Sequence, residues 1–241
     1  MSTMATKTVR ELALEIPAAT RVFEKFGIDY CCGGKRSLED ACDAANLPVD
    51  DVLESLQSVA TSGNMNQNES KWGAGPLTDL IAHITNKHHK YTREEIARLG
   101  PLFERVCSAH GRNHRELFEA QEKFRSLARE LSTHMMKEEV VLFPYIERME
   151  EARTEGEPIL PAPFVTVQNP VSIMIHEHDS AGDLLRSLRA MTNGYNPPPE
   201  ACLSYKTLYS ALEEFERDLH QHIHLENNIL FPRAIEMERG R

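Results

Sequence analysis

The sequence lacks the features of a membrane protein or a nucleic-acid-binding protein. Its 241 residues contain no apolar run of about 18 residues, the length that spans a bilayer. The N-terminus has no apolar segment typical of a secretory signal. Basic residues number 27 against 37 acidic ones, for a net charge of -10, and they do not cluster. We therefore expect a cytoplasmic protein that binds neither membrane nor nucleic acid.

Cysteine is scarce, and alternating strand patterns are absent. The five cysteines, an odd number at scattered positions, do not form the framework of a disulfide-stabilised domain. Hydrophobic residues make up 41% of the chain, enough for a buried core, and they recur at helical spacing. The sequence therefore predicts an all-α fold.

Helix start and stop signals predict a small N-terminal helical domain over residues 1–60. Thr8 and Ser37 are each followed three residues later by an acidic residue, as in a capping box, and Gly27 is placed to end a helix. Residues 61–75 are polar and rich in Gly, Asn and Ser, the composition of a linker.

Residues 76–241 contain four long helical patterns with short breaks between them. Helices joined by short loops pack as antiparallel neighbours, so this part of the chain predicts an antiparallel four-helix bundle. The four helices are predicted at 76–108, 114–152, 169–193 and 199–237.

A duplicated helix pair carries the candidate chemistry of the bundle. The pattern HxxxExxxLFP occurs twice, 88 residues apart (from 134 to 222), and the helix before each copy supplies a further histidine. The resulting set is His89, His134, Glu138, His178, His222 and Glu226.

Helical spacing places the HxxxE pairs on apolar faces. In the first copy the predicted buried stripe consists of Leu127, Leu131, His134, Glu138, Val141 and Tyr145. A buried carboxylate costs several kcal/mol without compensation, and a metal ion compensates carboxylates and imidazoles together. Two buried His–Glu hydrogen-bonded pairs are the alternative. The N/O donor set suits iron, manganese or zinc, and spacing does not choose among them.

The proline of each LFP tripeptide predicts a kink or a helix end. Proline has no N–H, so Pro144 and Pro232 leave the carbonyls four residues earlier, at Val140 and Asn228, without their usual helical donor.

Adjacent cysteines in a Cys-Cys-Gly-Gly turn are the second candidate for chemistry. Cys31 and Cys32 can form only a strained disulfide, which is easily reduced, so they are candidate redox or iron-transfer thiols. The alternative is two small, partly buried residues in a turn. Cys42, Cys107 and Cys202 are expected to be inert packing residues.

Four blocks carry a resemblance to a known family. They are YCCGGKRSL (30–38), HMMKEEVVLFP (134–144), EHDSAGDLL (177–185) and HIHLENNILFPRA (222–234). In order and spacing they resemble the RIC family of iron–sulfur cluster repair proteins, which join an ScdA-like N-terminal domain to a hemerythrin-like bundle. The resemblance implies a non-haem di-iron centre, able to carry an oxo bridge. Its ligands by position would be His89, His134, Glu138, His178, His222 and Glu226.

One ligand is ambiguous. The apolar stripe of the first helix places His88 nearer the apolar centre than His89, whereas the family motif, four residues before Arg93-Glu94, selects His89.

The resemblance implies a role in restoring iron–sulfur clusters damaged by nitric oxide or peroxide, with the protein as an iron donor. The expected partners are damaged or apo iron–sulfur proteins, with nitric oxide or O2 as small ligands and a homodimer left open. A di-iron nitric oxide reductase and a reversible O2- or NO-binding module are the alternative functions.

Overall fold

The described residues of the chain are helical and form no strand beyond a single antiparallel bridge between Thr8 and Ser37. The structure, a computed structural model, describes residues 4–16, 18–31, 33–61, 72–159 and 164–240. Cys32 and residues 62–71, most of the predicted linker, lie outside the described residues, and the division at 1–60, 61–75 and 76–241 stays a prediction. None of the described helices is long and apolar enough to cross a bilayer. The all-α prediction is confirmed.

The chain divides into two compact units. One consists of Met1–Leu80 together with His220–Arg241, and the other of Ile81–Leu219.

Short helices build the N-terminal part of the first unit. They are α1 (Val9–Glu15), α2 (Ala19–Phe26), α3 (Leu38–Ala44) and α4 (Val49–Thr61). Thr8 caps α1 in a complete capping box, the Ser37 hydroxyl accepts a hydrogen bond from the N–H of Asp40, and Gly27 ends α2 with a φ of 67°. The capping and stop signals of the sequence are therefore confirmed.

These helices enclose an apolar core of their own. Leu12, Phe23, Leu38, Leu56 and the thiol of Cys42 are among its buried members. Burial raises the pKa of the Cys42 thiol. Cys42 is thus the inert packing residue that the sequence predicts.

From Leu77 onward, the described chain forms seven helices and three π-helical turns. They are α5 (Leu77–His83), π1 (Ile84–His89), α6 (Lys90–His110), α7 (Glu116–Lys137), π2 (Glu138–Leu142), α8 (Phe143–Glu155), α9 (Gln168–Met191), α10 (Leu203–His224), π3 (Leu225–Leu230) and α11 (Phe231–Arg239). Each π turn continues directly into the helices around it. The four predicted helices match these continuous stretches to within a few residues.

Ile81–Leu219 has an aromatic core. The ring centroids of Phe103 in α6 and Phe124 in α7 lie 5.3 Å apart, and those of Phe124 and Phe215 in α10 lie 5.9 Å apart. Such ring pairs favour tight helix packing beyond the area that they bury.

The π turns change which residues face inward. A π turn bonds residues five apart, so it holds one residue more than an α-helical turn. In π2 this places Leu142 in the core, with 1% of its surface exposed, and turns Val141 outward, 46% exposed. The prediction that Val141 belongs to the buried stripe was therefore wrong, because the stripe assumed α-helical spacing throughout.

Candidate metal centre

Glu138 lies at the centre of a buried cluster within Ile81–Leu219. His89 Nε2, from π1, lies 3.4 Å from Glu138 Oε2, and His134 Nε2, from the end of α7, lies 3.3 Å from the same oxygen. All three side chains are buried, Glu138 and His89 completely. The carboxylate is therefore approached from two different helices by ring nitrogens.

His178 of α9 adds a third imidazole to the cluster. Its Nε2 lies 2.9 Å from Nε2 of His134, and the donor atoms of His134, Glu138 and His178 lie within 4.8 Å of one another. Two facing Nε2 atoms need either a shared proton or a shared cation. Three imidazoles and a carboxylate form an N/O donor set that fits iron, manganese or zinc.

Two outer carboxylates orient the imidazoles. Glu139 Oε1 lies 2.6 Å from His89 Nδ1, and Glu177 Oε2 lies 2.9 Å from His134 Nδ1. A carboxylate accepts the Nδ1–H, which leaves the lone pair on Nε2 directed into the cluster. This is the protonation pattern that a metal-binding imidazole requires.

Basic side chains hold the outer carboxylates in turn. Arg93 Nη2 donates to both carboxylate oxygens of Glu139 at 2.8 Å, and Lys137 binds Glu177. Burial alone would raise the pKa of Glu177, but the hydrogen bonds from Lys137 and His134 hold that pKa below its ordinary value. Glu177 therefore stays negatively charged and accepts hydrogen bonds from His134 and Lys137.

Glu139 was not predicted from the sequence. The clue to Glu139 in the sequence was Arg93, which lies one helical turn after His89. Arg93 forms an ion pair with Glu139 of the neighbouring helical segment. The structure brings Glu177 to His134, whereas Glu130 is exposed and accepts a hydrogen bond from Ser180 Oγ at 2.9 Å.

His89, and not His88, faces Glu138. His88 is buried as well, but its Nδ1 lies 3.0 Å from Asp218 Oδ1. The π turn at Ile84–His89 accounts for the difference, because residues five apart share a face there. The His89 ring also stacks on Phe143 of the first LFP tripeptide, with centroids 5.7 Å apart. The ligand role of His89 stays a prediction.

The second HxxxE pair lies in the other unit. His222 Nε2 is 3.0 Å from Glu226 Oε1, one helical turn away, and both side chains are buried. Each copy of the HxxxExxxLFP pattern therefore contains a buried His–Glu pair.

His224, the last residue of α10, is buried, with 1% of its surface exposed, and this burial lowers its pKa to about 4. One expectation about the cysteines was wrong. Cys202 was assigned to packing, yet it is exposed, with Sγ 3.1 Å from His110 Nε2. Near a helix end the neighbouring residues are both polar and apolar, so the sequence does not indicate reliably whether a residue there is buried.

The Cys-Cys-Gly-Gly turn is closely packed around Cys31. The backbone N–H and the thiol of Cys31 both donate to Asp29 Oδ1, at 3.1 and 3.3 Å. A Cβ on Gly34 would lie 2.8 Å from the carbonyl oxygen of Tyr30, closer than real contacts allow. Position 34 therefore has no space for a side chain larger than that of glycine.

Fold and donor set together define a hemerythrin-type cation-binding protein. Residues 80–234 match the family described as "Hemerythrin HHE cation binding domain". Residues 5–60 match the family ScdA_N, described as "Domain of Unknown function (DUF542)".

Similar proteins extend over nearly the whole chain. An Escherichia coli O81 protein named "Iron-sulfur cluster repair protein YtfE" is 38% identical over 225 residues, which cover 93% of this chain and 94% of the relative. A Haemophilus influenzae protein named "Probable iron-sulfur cluster repair protein" is 36% identical over 231 residues, covering 96% and 97%. The chain therefore belongs to the RIC family and contains a cation-binding domain of the hemerythrin type, whose buried His/Glu cluster has the donor atoms to hold a metal ion.

Proposed function

We propose that this protein repairs iron–sulfur clusters damaged by nitrosative or oxidative stress in the cytoplasm, by donating iron from a di-iron centre. The observation that carries the proposal is the buried cluster around Glu138, with ring nitrogens 3.3 and 3.4 Å from its carboxylate. The names of the relatives, which designate cluster repair, supply the process.

Two iron ions are the proposed cargo. The repeat supports this number, because each copy contributes an HxxxE pair and one preceding histidine. The proposed ligands are His89, His134, Glu138, His178, His222 and Glu226.

The donor set suits release as well as binding. Ferrous iron stands low in the affinity order of divalent metals, and imidazole and carboxylate hold it less firmly than thiolate does. The proposed ligands include no thiolate. Iron bound in this way can pass to an apo-protein whose cysteines bind it more tightly.

The protein's own groups prepare the site for loss of the cation. Oε2 of Glu138 and Nε2 of His134 lie 3.3 Å apart, so a proton taken up by either group as the cation leaves replaces part of the lost positive charge. Glu177 keeps the other ring proton of His134 in place at Nδ1. The empty site thus avoids an uncompensated buried carboxylate.

Iron transfer tests the proposal directly. Protein loaded with isotopically labelled ferrous iron is mixed with an apo-dehydratase, and the activity of the dehydratase and the label that it takes up are measured. We expect both to rise with wild-type protein and with Glu94→Gln, since Glu94 is exposed, and to fall with Glu138→Gln.

Three outcomes decide among the functions. Iron that stays on the protein while the dehydratase remains inactive contradicts the donor role. Repeated production of nitrous oxide from nitric oxide and a reductant would indicate a reductase instead, and reversible O2 binding without loss of iron would indicate a carrier. A Mössbauer spectrum with the iron content of the purified protein tests metal identity and pairing.

A further inference from the structure

Two asparagine side chains bind the backbone of the Cys-Cys-Gly-Gly turn. Asn227 Nδ2 donates to the carbonyl oxygen of Cys31, and Asn228 Nδ2 donates to that of Tyr30, each at 3.2 Å. Both asparagines belong to π3, the turn that carries Glu226. All of these residues lie within the same compact unit.

The carboxamide of Asn228 is held in one orientation. Its Nδ2 also lies 2.8 Å from Nδ1 of His224, so both amide hydrogens have acceptors. The His224 ring meets the Tyr30 ring edge to face, with centroids 5.5 Å apart. Asn228 and His224 are both buried, where a misplaced amide costs most.

Arg10 adds a third connection between the turn and π3. Its Nη2 donates to the carbonyl oxygen of Asn228 at 3.3 Å, and its backbone N–H donates to the carbonyl of Gly34 at 2.8 Å. Pro232, four residues after Asn228, has no N–H to donate to this carbonyl. The second LFP tripeptide therefore supplies an acceptor for the N-terminal domain.

The repeat shows that the ligand motif does not need these asparagines. In the first copy their positions are occupied by Glu139 and Val140. Val140 is 70% exposed, whereas Asn228 is buried. The two copies share the HxxxExxxLFP pattern, but only the second has polar residues that bind the turn.

We propose that Asn227 and Asn228 form an amide latch, which holds the Cys31 thiol on the segment that carries Glu226 and limits its exposure. They are positioning residues, since they act through the backbone of the turn. Cys31 is 5% exposed while the latch is closed. Reaction of its thiol with a bulky partner requires the two hydrogen bonds to break.

Thiol labelling of the full chain tests the latch without iron. In a Cys32→Ser background, the rate of maleimide labelling is measured at each cysteine by mass spectrometry. Asn227→Ala with Asn228→Ala should raise the rate at Cys31 about 30-fold, the effect of losing two hydrogen bonds of ordinary strength. The single variant Asn228→Asp, of equal size but without the donor, should raise it as well.

Controls separate opening of the latch from unfolding. Val140→Ala, at the matching position of the first copy, should leave the rate at Cys31 unchanged. Cys42 reports on the core, because it is buried there. An unchanged rate at Cys31 in the asparagine variants overturns the proposal, and so does a parallel rise at Cys31 and Cys42, which would mean that the amides only stabilise the domain.

Discussion

Replacing Glu139 by glutamine removes the negative charge that faces Nδ1 of His89 across 2.6 Å. The glutamine side chain has nearly the same shape, but its oxygen is a weaker acceptor and its NH2 group cannot pair with Arg93. His89 then loses the partner that fixes its tautomer and directs Nε2 toward Glu138. The substitution therefore tests the orientation of the proposed ligand His89 without removing any proposed ligand.

Two magnitudes distinguish this effect from a general loss of stability. Groups that orient a metal-bound histidine typically contribute about 10- to 100-fold to metal affinity, or roughly 1.4–2.7 kcal/mol. The ion pair between Arg93 and Glu139 is part-exposed, with side-chain exposures of 47% and 26%. Pairs of this kind contribute about 0.2–1 kcal/mol to folding. Ferrous affinity should therefore fall further than the stability of the metal-free protein.

Competition with a chromophoric chelator under anaerobic conditions measures the ferrous affinity, and urea unfolding of the metal-free protein measures the stability. Glu94→Gln is the matched control, since Glu94 is exposed next to Arg93 and pairs only loosely with Lys90 at 3.9 Å. We expect Glu139→Gln to weaken iron binding at least tenfold relative to this control. A change below about twofold would refute the reasoning, because His89 would then need no carboxylate to bind metal.

Three further predictions concern register, packing and metal. Val141→Ser should change the free energy of unfolding, measured in urea, by less than about 0.5 kcal/mol. Leu142→Ala should lower the same free energy by about 2–5 kcal/mol. A larger loss of stability for Val141→Ser than for Leu142→Ala would contradict the π turn. Gly34→Ala should cost about 1–3 kcal/mol, because its Cβ would lie 2.8 Å from the Tyr30 carbonyl oxygen; full stability would show that the turn has room. Ferrous iron at about 100 times its Kd should raise the free energy of unfolding by roughly 2.7 kcal/mol per site. This is measured as a higher Tm that a chelator reverses, and an unchanged Tm would contradict binding to the folded state.

Local signals were enough to predict the helices. The side chain of Thr8 binds the first turn of its helix, and Gly27 ends another because it adopts a positive φ. Both effects act within a few residues, so the sequence determines them before any tertiary contact forms. The repeat likewise placed an HxxxE pair on each of two helices by local spacing alone.

Local spacing could not predict the π turns. The extra residue in each turn decides that His89 faces Glu138 and that Val141 faces solvent. Periodicity assigns every residue by α-helical geometry, so one inserted residue changes which of its neighbours face inward. Tyr145, also predicted in the buried stripe, is buried after the turn.

The sequence by itself determined an all-helical chain, its helix ends and the types of donor that the repeat provides. Only the tertiary structure decided which partners these donors have: Glu139 on His89, Glu177 on His134 and Asn228 on Tyr30. These pairs join residues 43 to 198 positions apart. Hydrogen bonds between such distant residues depend on how whole helices pack, and no pattern within a single helix contains that information.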